Sequence, residues 1–329
     1  MKKALVTGAG GFIGHHLVTR LKERGYWVRG VDIKGTEFGE TTADEFLMLD
    51  LREKDAAEKA FAVTGGFDDV YALAADMGGM GFISSHHAEI IHSNLLINLN
   101  SVHAAANAGV GRYLYTSSAC VYPAGAQKVT DVTPLREDQA YPADPEDAYG
   151  WEKLTSEKIV HYYNMEGLLP VVRSVRFHNV YGPRGTWNGG REKAPAALCR
   201  KVAVAIHKGG PVEIWGDGEQ TRSFMHIDDC IEGLERIMDA EGLNDAPVNL
   251  GRDRMVSINE LAHIIANIAG MSELVIEHVD GPQGVRGRNS DNTFLNEVLG
   301  WEPSTTLEDG LRPTYEWIEQ QAKTTGLLG

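Results

Sequence analysis

The chain has 329 residues, 43% of them hydrophobic, and carries 31 Lys and Arg against 46 Asp and Glu for a formal net charge of −15. Such a length suits one large domain with a smaller one attached. The charge argues against nonspecific binding to nucleic acid or to an anionic membrane, so any anionic ligand has to meet a local cluster of cations.

Met1 to Thr7 runs into a glycine turn without the apolar core and small-residue cleavage site of a signal peptide. No window has the uninterrupted apolar length of a membrane span. Cys120, Cys199 and Cys230 are odd in number and far apart, which fits free thiols in a reducing cytoplasm better than disulfides or a metal site. The histidines form no metal motif; His15-His16 and His86-His87 read as helix-start residues, and no metal is expected.

In chain order, Lys3 to Thr7 is a short apolar run that predicts a buried strand, and Phe12 to Arg24 follows at helical spacing. Further runs at Trp27 to Val31, Phe46 to Leu49, Asp69 to Leu73 and Arg112 to Thr116 alternate with helical patterns at Arg52 to Val63 and His86 to Ala108. That alternation predicts an α/β fold of the Rossmann type, a parallel sheet wound on both faces. Val171 to Phe177 closes the regular part. Beyond it lie a Gly- and Pro-rich loop, Tyr181 to Arg191, and elements at Ala194 to His207, Val212 to Trp215, Ile227 to Ala240, Ser257 to Ala269 and Leu311 to Gln321. The expected division is a cofactor domain of residues 1–176, completed by about 222–256, and a smaller C-terminal α/β substrate domain of 177–221 and 257–329.

Gly8, Gly10, Gly11 and Gly14, with Phe12 and Ile13 between them, lie directly after the first strand and open the first helix. Bare amides there can approach a pyrophosphate at the positive helix end. Asp32 ends the second strand, where a carboxylate hydrogen-bonds ribose hydroxyls and repels a 2′-phosphate, so NAD is favoured over NADP. Arg29 and Lys34 nearby pull the other way.

Tyr149 and Lys153 are four residues apart, on one face of a helix. An ammonium one turn from a phenol, joined by a positively charged nicotinamide, favours the phenolate, a base usable near neutral pH. By composition alone the pair also reads as a half-buried aromatic above a solvated lysine.

Taken with the glycine turn, Asp32, Asp50-Leu51, Ala74-Ala75 and Ser117-Ser118-Ala119, the chain resembles the extended short-chain dehydrogenase/reductase family of nucleotide-sugar epimerases and dehydratases. The resemblance implies that Asp50, Leu51 and Ala74 join the cofactor site. It also implies that Ser118 hydrogen-bonds the sugar hydroxyl being oxidised, that Tyr149 removes its proton, and that the protein is a homodimer. Longer stretches, Ala75 to Phe82, Ser117 to Pro123, Arg176 to Trp187, Gly189 to Lys201, Trp215 to Phe224 and Gly284 to Asn292, are similar to the members that invert carbons 3 and 5 of a GDP-sugar. The resemblance then makes Cys120 and Lys193 the acid/base pair for inversion. It places Gly78, Ser118, Ala119, Asn179, Glu192, Ala194, Lys201, Gln220, Thr221, Arg222 and Arg288 around the GDP-sugar. By residue type alone Cys120 also suits a buried small hydrophobe, and Lys193 a surface lysine. A reductase that consumes NADPH and a non-enzymatic NAD sensor remain the other readings.

Overall fold

Lys3–Thr7 (β1) contributes Ala4 and Val6 to one face of a sheet and Leu5 to the other, and all three are fully buried. A strand covered on both faces has to be apolar throughout, which is why a glycine-bounded apolar run was readable as a strand. The computed structural model describes residues 1–243 and 245–329. Among them, β1, Trp27–Asp32 (β2), Glu45–Met48 (β3), Asp69–Ala72 (β4), Arg112–Ser118 (β5), Val171–Phe177 (β6) and a last strand, Pro247–Leu250, form one seven-stranded sheet. All neighbours are parallel, in the order Pro247–Leu250, β6, β5, β4, β1, β2, β3. The order reverses between β1 and β4, and a crevice opens there at the carboxyl ends of the strands.

Helices cover both faces. Phe12–Glu23 (α1) lies on one face with two helices from far along the chain, and Lys54–Phe61 (α2) on the other. A single turn, Met80–Ile83 (α3), precedes His87–Asn107 (α4), which packs along Ala148–Met165 (α5) beside α2. Ala194–Lys208 (α6) belongs to a separate core, while Ile227–Asp239 (α7) returns to the α1 face through Ile231 and Leu234. Ile258–Ile268 (α8) joins α6, Thr293–Leu299 (α9) sends Leu295 to the α1 face, and Leu307–Thr324 (α10) completes the separate core with Leu311 and Ile318.

The expected strands and helices up to Phe177 occur within a few residues of their predicted bounds. The last helix is longer than predicted, Leu307–Thr324 rather than Leu311 to Gln321. The Thr306 hydroxyl accepts from the Asp309 amide at 3.2 Å, and Glu308 and Asp309 lie in the first turn, so the helix starts a turn earlier than its apolar face suggests. Strand Pro247–Leu250 was not predicted. Thr221–Ser223, Met255–Ser257 and Gly287–Arg288 form a small sheet of their own, so the two ends of segment 222–256 pair away from the large sheet.

Beneath the carboxyl end of β5, Arg176 donates to Glu157 through Nε and Nη2 at 2.9 and 2.8 Å, both side chains buried. The Ser117 hydroxyl donates to the same carboxylate. This bidentate pair fixes β5, β6 and α5 together under the site.

Candidate active site

Gly8 has φ +70°, and a Cβ on Gly14 would stand 2.1 Å from the Gly8 carbonyl oxygen, so the turn from β1 into α1 admits no side chain. Gly11, the N-cap of α1, offers no side-chain acceptor to the first-turn amides, which leaves those donors for an anion. Asp32 accepts from the Gly10 amide at 3.0 Å and the Lys34 amide at 3.1 Å, so its carboxylate is held at the turn. Arg29 is committed to Glu45 and to the carbonyls of Ala60 and Ala62, and Lys34 Nζ lies 3.0 Å from Glu37. Neither basic residue is directed at a 2′-phosphate. Ala74 completes the crevice from β4, with its amide donating to Thr7 at 3.2 Å. Asp50 is paired with Arg52, and Leu51 is buried beside it. These residues fit a dinucleotide such as NAD.

Helix α5 begins at Asp147, whose carboxylate accepts from the Gly150 amide at 2.8 Å. Gly150 lies so close to the turn after β5 that a Cβ there would be 2.2 Å from the Cys120 carbonyl oxygen. This contact brings Tyr149 and Lys153 against Ser118 and Cys120. Lys153 Nζ is 5.6 Å from the Tyr149 ring centroid, donates to the Thr116 carbonyl at 3.1 Å and lies 3.7 Å from Glu152. Tyr149 differs from expectation. Burial pushes its phenol well above the ordinary value and the Glu152 and Cys120 charges add to this, while the neighbouring Ser118 hydroxyl works the other way.

The Cys120 sulfur accepts from Arg288 Nη1 at 3.2 Å, and Arg288 Nε donates to Gln127 at 2.5 Å. Arg222 is opposite Arg288 in the small sheet and donates to the carbonyls of Thr221 and Val285. Burial first, and then the Arg288 charge, pulls Arg222 down to about 9. Lys193, the N-cap residue of α6, is lowered by burial, and the Cys120 and Cys230 thiols oppose that shift. Among the described residues Lys193, Lys201, Arg222 and Arg288 have no carboxylate at salt-bridge distance, in a chain with a net charge of −15. Cys120 packs against the small apolar cluster that holds Tyr149.

Several other predicted residues sit around this cluster. Asn179 has φ 35°, an unusual backbone for a non-glycine residue, and its side-chain amide donates to Ser223. Gln220 is buried, with one amide oxygen unpartnered, and Thr221 donates to the Thr130 carbonyl. Gly78 faces Arg191, while Glu192 accepts from Gly190 and Arg200 just before Lys193 and Ala194. Lys201 stands apart, two turns along α6, donating to the Glu213 carbonyl at 2.8 Å. Ala119 is buried below Ser118. The sequence reading did not include Gln127, Asn94 or Asn98. Asn94 and Asn98 are four residues apart on α4, and both donate to the buried carboxylate of Glu152. Cys199 and Cys230 are fully buried in α6 and α7.

The model of the NAD dependent epimerase/dehydratase family matches residues 4–251. The chain belongs to that family. NAD is the cofactor that the family's name specifies. The chain is 49% identical over 327 residues to "GDP-mannose 3,5-epimerase 1" of Oryza sativa subsp. japonica, covering 98% of this chain and 84% of the relative. It is 29% identical to the GDP-L-fucose synthase of Escherichia coli (strain K12), covering 99% of each. Among solved structures, the UDP-glucuronic acid 4-epimerase of Bacillus cereus, in complex with UDP-glucuronic acid and NAD, superposes with TM-score 0.79 at 26% identity. It covers 97% of this chain and 99% of that one.

Proposed function

We propose that this member of the family converts GDP-mannose to GDP-L-galactose by inverting carbons 3 and 5 through a transient 4-keto sugar, with GDP-L-gulose formed when carbon 5 alone inverts. The observation that carries this reading is Cys120, which shares one site with Tyr149, Lys193 and two arginines. Inversion at carbon 4 alone needs only the tyrosine. The thiol of Cys120 and the amine of Lys193 are two further proton-transfer groups, as inversion at two more carbons requires. The 49% identity to the rice epimerase points the same way.

Bound NAD would accept a hydride from carbon 4 and return it. Tyr149 takes the proton from the carbon 4 hydroxyl while Ser118 hydrogen-bonds that oxygen. Lys153 would help hold the cofactor and, with the positive charge that a bound nicotinamide would supply, would stabilise the phenolate. The ketone acidifies the hydrogens on carbons 3 and 5, and Cys120 and Lys193 remove and replace them on opposite faces. Lys201, Arg222 and Arg288 neutralise the diphosphate, and Gly78, Asn179, Glu192, Gln220 and Thr221 contact the GDP-sugar. In this reading residues 1–176, with much of 222–256, bind NAD, and 177–221 with 257–329 bind the GDP-sugar. The separate core of α6, α8 and α10 supports that division.

We further infer a cytoplasmic homodimer. The three free cysteines support the compartment, and no helix among the described residues is long and apolar enough to cross a membrane. The exposed Leu99, Trp151 and Tyr162 on α4 and α5 support a helical dimer face.

The test is to incubate the protein with NAD and GDP-mannose in heavy water and read the sugar by NMR. Deuterium should enter carbons 3 and 5 without net consumption of NAD. A Cys120→Ala protein that exchanges both carbons at the wild-type rate would sink the assignment. Steady consumption of NADPH when a 4-keto GDP-sugar replaces GDP-mannose would indicate the reductase reading, against which the commitments of Arg29 and Lys34 stand.

A further inference from the structure

Two segments meet just before Lys193. Arg191 Nη1 donates to the Asp76 carboxylate at 2.7 Å, and the guanidinium carbon lies 3.8 Å from the Phe82 ring centroid. The Arg191 carbonyl accepts from the Gly79 amide at 3.0 Å. The fit leaves no spare room: a Cβ on Gly79 would be 2.3 Å from the Glu192 carbonyl oxygen, and one on Gly78 would be 3.3 Å from the Arg191 side chain. At its other end the 76–82 segment is fastened to the redox helix. Asn94 accepts from the Asp76 amide at 2.6 Å and donates to the Asp76 carbonyl at 3.1 Å. The same Asn94 amide donates to Glu152 at 3.0 Å, next to Lys153.

We propose that Arg191 is a positioning residue: by clasping Asp76, Gly79 and Phe82 it holds the backbone that carries Lys193 in register with Tyr149 and Lys153 on α5. The guanidinium is half exposed, so its ion pair contributes little to stability. Its effect is geometric, because a proton-transfer group displaced by about 1 Å loses roughly 10²-fold in rate. The proposal rests on the role given to Lys193 above.

The test uses full-length Arg191→Met, Arg191→Lys and Gly79→Ala proteins, the last prising the same seam apart without touching the guanidinium. Two readouts are taken. In the first, Lys193 is acylated with acetic anhydride in the absence of substrate and followed by mass spectrometry. Labelling should be several-fold faster in Arg191→Met and Gly79→Ala than in wild type, with Arg191→Lys between. Labelling that does not change overturns the clasp. In the second, deuterium entry from heavy water is followed at each carbon. At the carbon that falls silent in Lys193→Ala, entry should drop roughly 10²-fold in Arg191→Met. Entry at the other carbon, and NADH formation from carbon 4, should stay within a few-fold of wild type. Equal loss at both carbons overturns the positioning role. A wild-type protein that exchanges neither carbon removes the functional reading instead, and the labelling contrast still decides the clasp.

Discussion

The Gly150 Cα lies where a single added methyl would stand 2.2 Å from the Cys120 carbonyl oxygen. Through that contact the helix carrying Tyr149 and Lys153 is seated on the turn carrying Ser118 and Cys120, so the redox and epimerising groups share one backbone contact. Gly150→Ala should force α5 and the turn apart and lower both NADH formation with GDP-mannose and deuterium entry at carbons 3 and 5, each by about 10²-fold. The fold itself should persist, with an unchanged far-ultraviolet circular dichroism spectrum, because the clash is confined to α5 and the turn after β5. Loss at one carbon only would show that the two chemistries are positioned separately.

Arg288 is gripped by Gln127 and reaches the Cys120 sulfur at 3.2 Å. Gln127→Leu removes the grip while leaving the guanidinium. It should reduce deuterium entry about 10-fold at the carbon that Cys120 serves, with a smaller change at the other. NMR of GDP-mannose recovered from heavy water reads both at once.

Tyr149 is raised well above the ordinary phenol value by burial, with Glu152 adding to it. The deprotonated form is the base, so activity should rise with pH until the phenol is ionised. Ultraviolet titration of the NAD-free protein should find no ionisation of Tyr149 near neutral pH, judged against Tyr149→Phe. Adding NAD should move that step downward. Glu152→Gln, which removes the nearest negative charge, should also move it downward. A step that NAD leaves in place would count against the nicotinamide charge as the cause.

Lys193 is lowered by burial and has no carboxylate partner among the described residues. Because its folded value lies below the unfolded 10.5, the unfolded chain binds more protons between the two values, and stability rises with pH across that window. Below that window the full penalty is present. Lys193→Met should therefore abolish exchange at one carbon yet raise the urea midpoint of the substrate-free protein. The gap should narrow as pH rises towards 10.5.

The sheet was legible in the sequence because strands such as Lys3–Thr7 and Arg112–Ser118 are covered on both faces and end at glycine or serine. Thr221–Ser223, Met255–Ser257 and Gly287–Arg288 were not legible. They are two or three residues long and become strands only by pairing with one another across long stretches of chain. At the site, the spacing of Tyr149 and Lys153 pointed to a pair that α5 holds together, with Lys153 Nζ 5.6 Å from the Tyr149 ring centroid. Hidden from spacing were Asn94 with Glu152 and Arg191 with Asp76, whose contacts depend on how α4 and the 76–82 segment are folded. The raised phenol of Tyr149 was also hidden, since burial is a property of the packed molecule.

Cys120 hangs from the end of the large sheet, whereas Lys193 stands at the first turn of α6, whose core is a separate one. Any small shear between the two cores therefore changes the spacing of the two proton-transfer groups without altering either. The proportion of singly to doubly inverted sugar then acts as a strain gauge on that seam, and substitutions far from the pocket, in the packing of α6 against α10, become a means of tuning what is made.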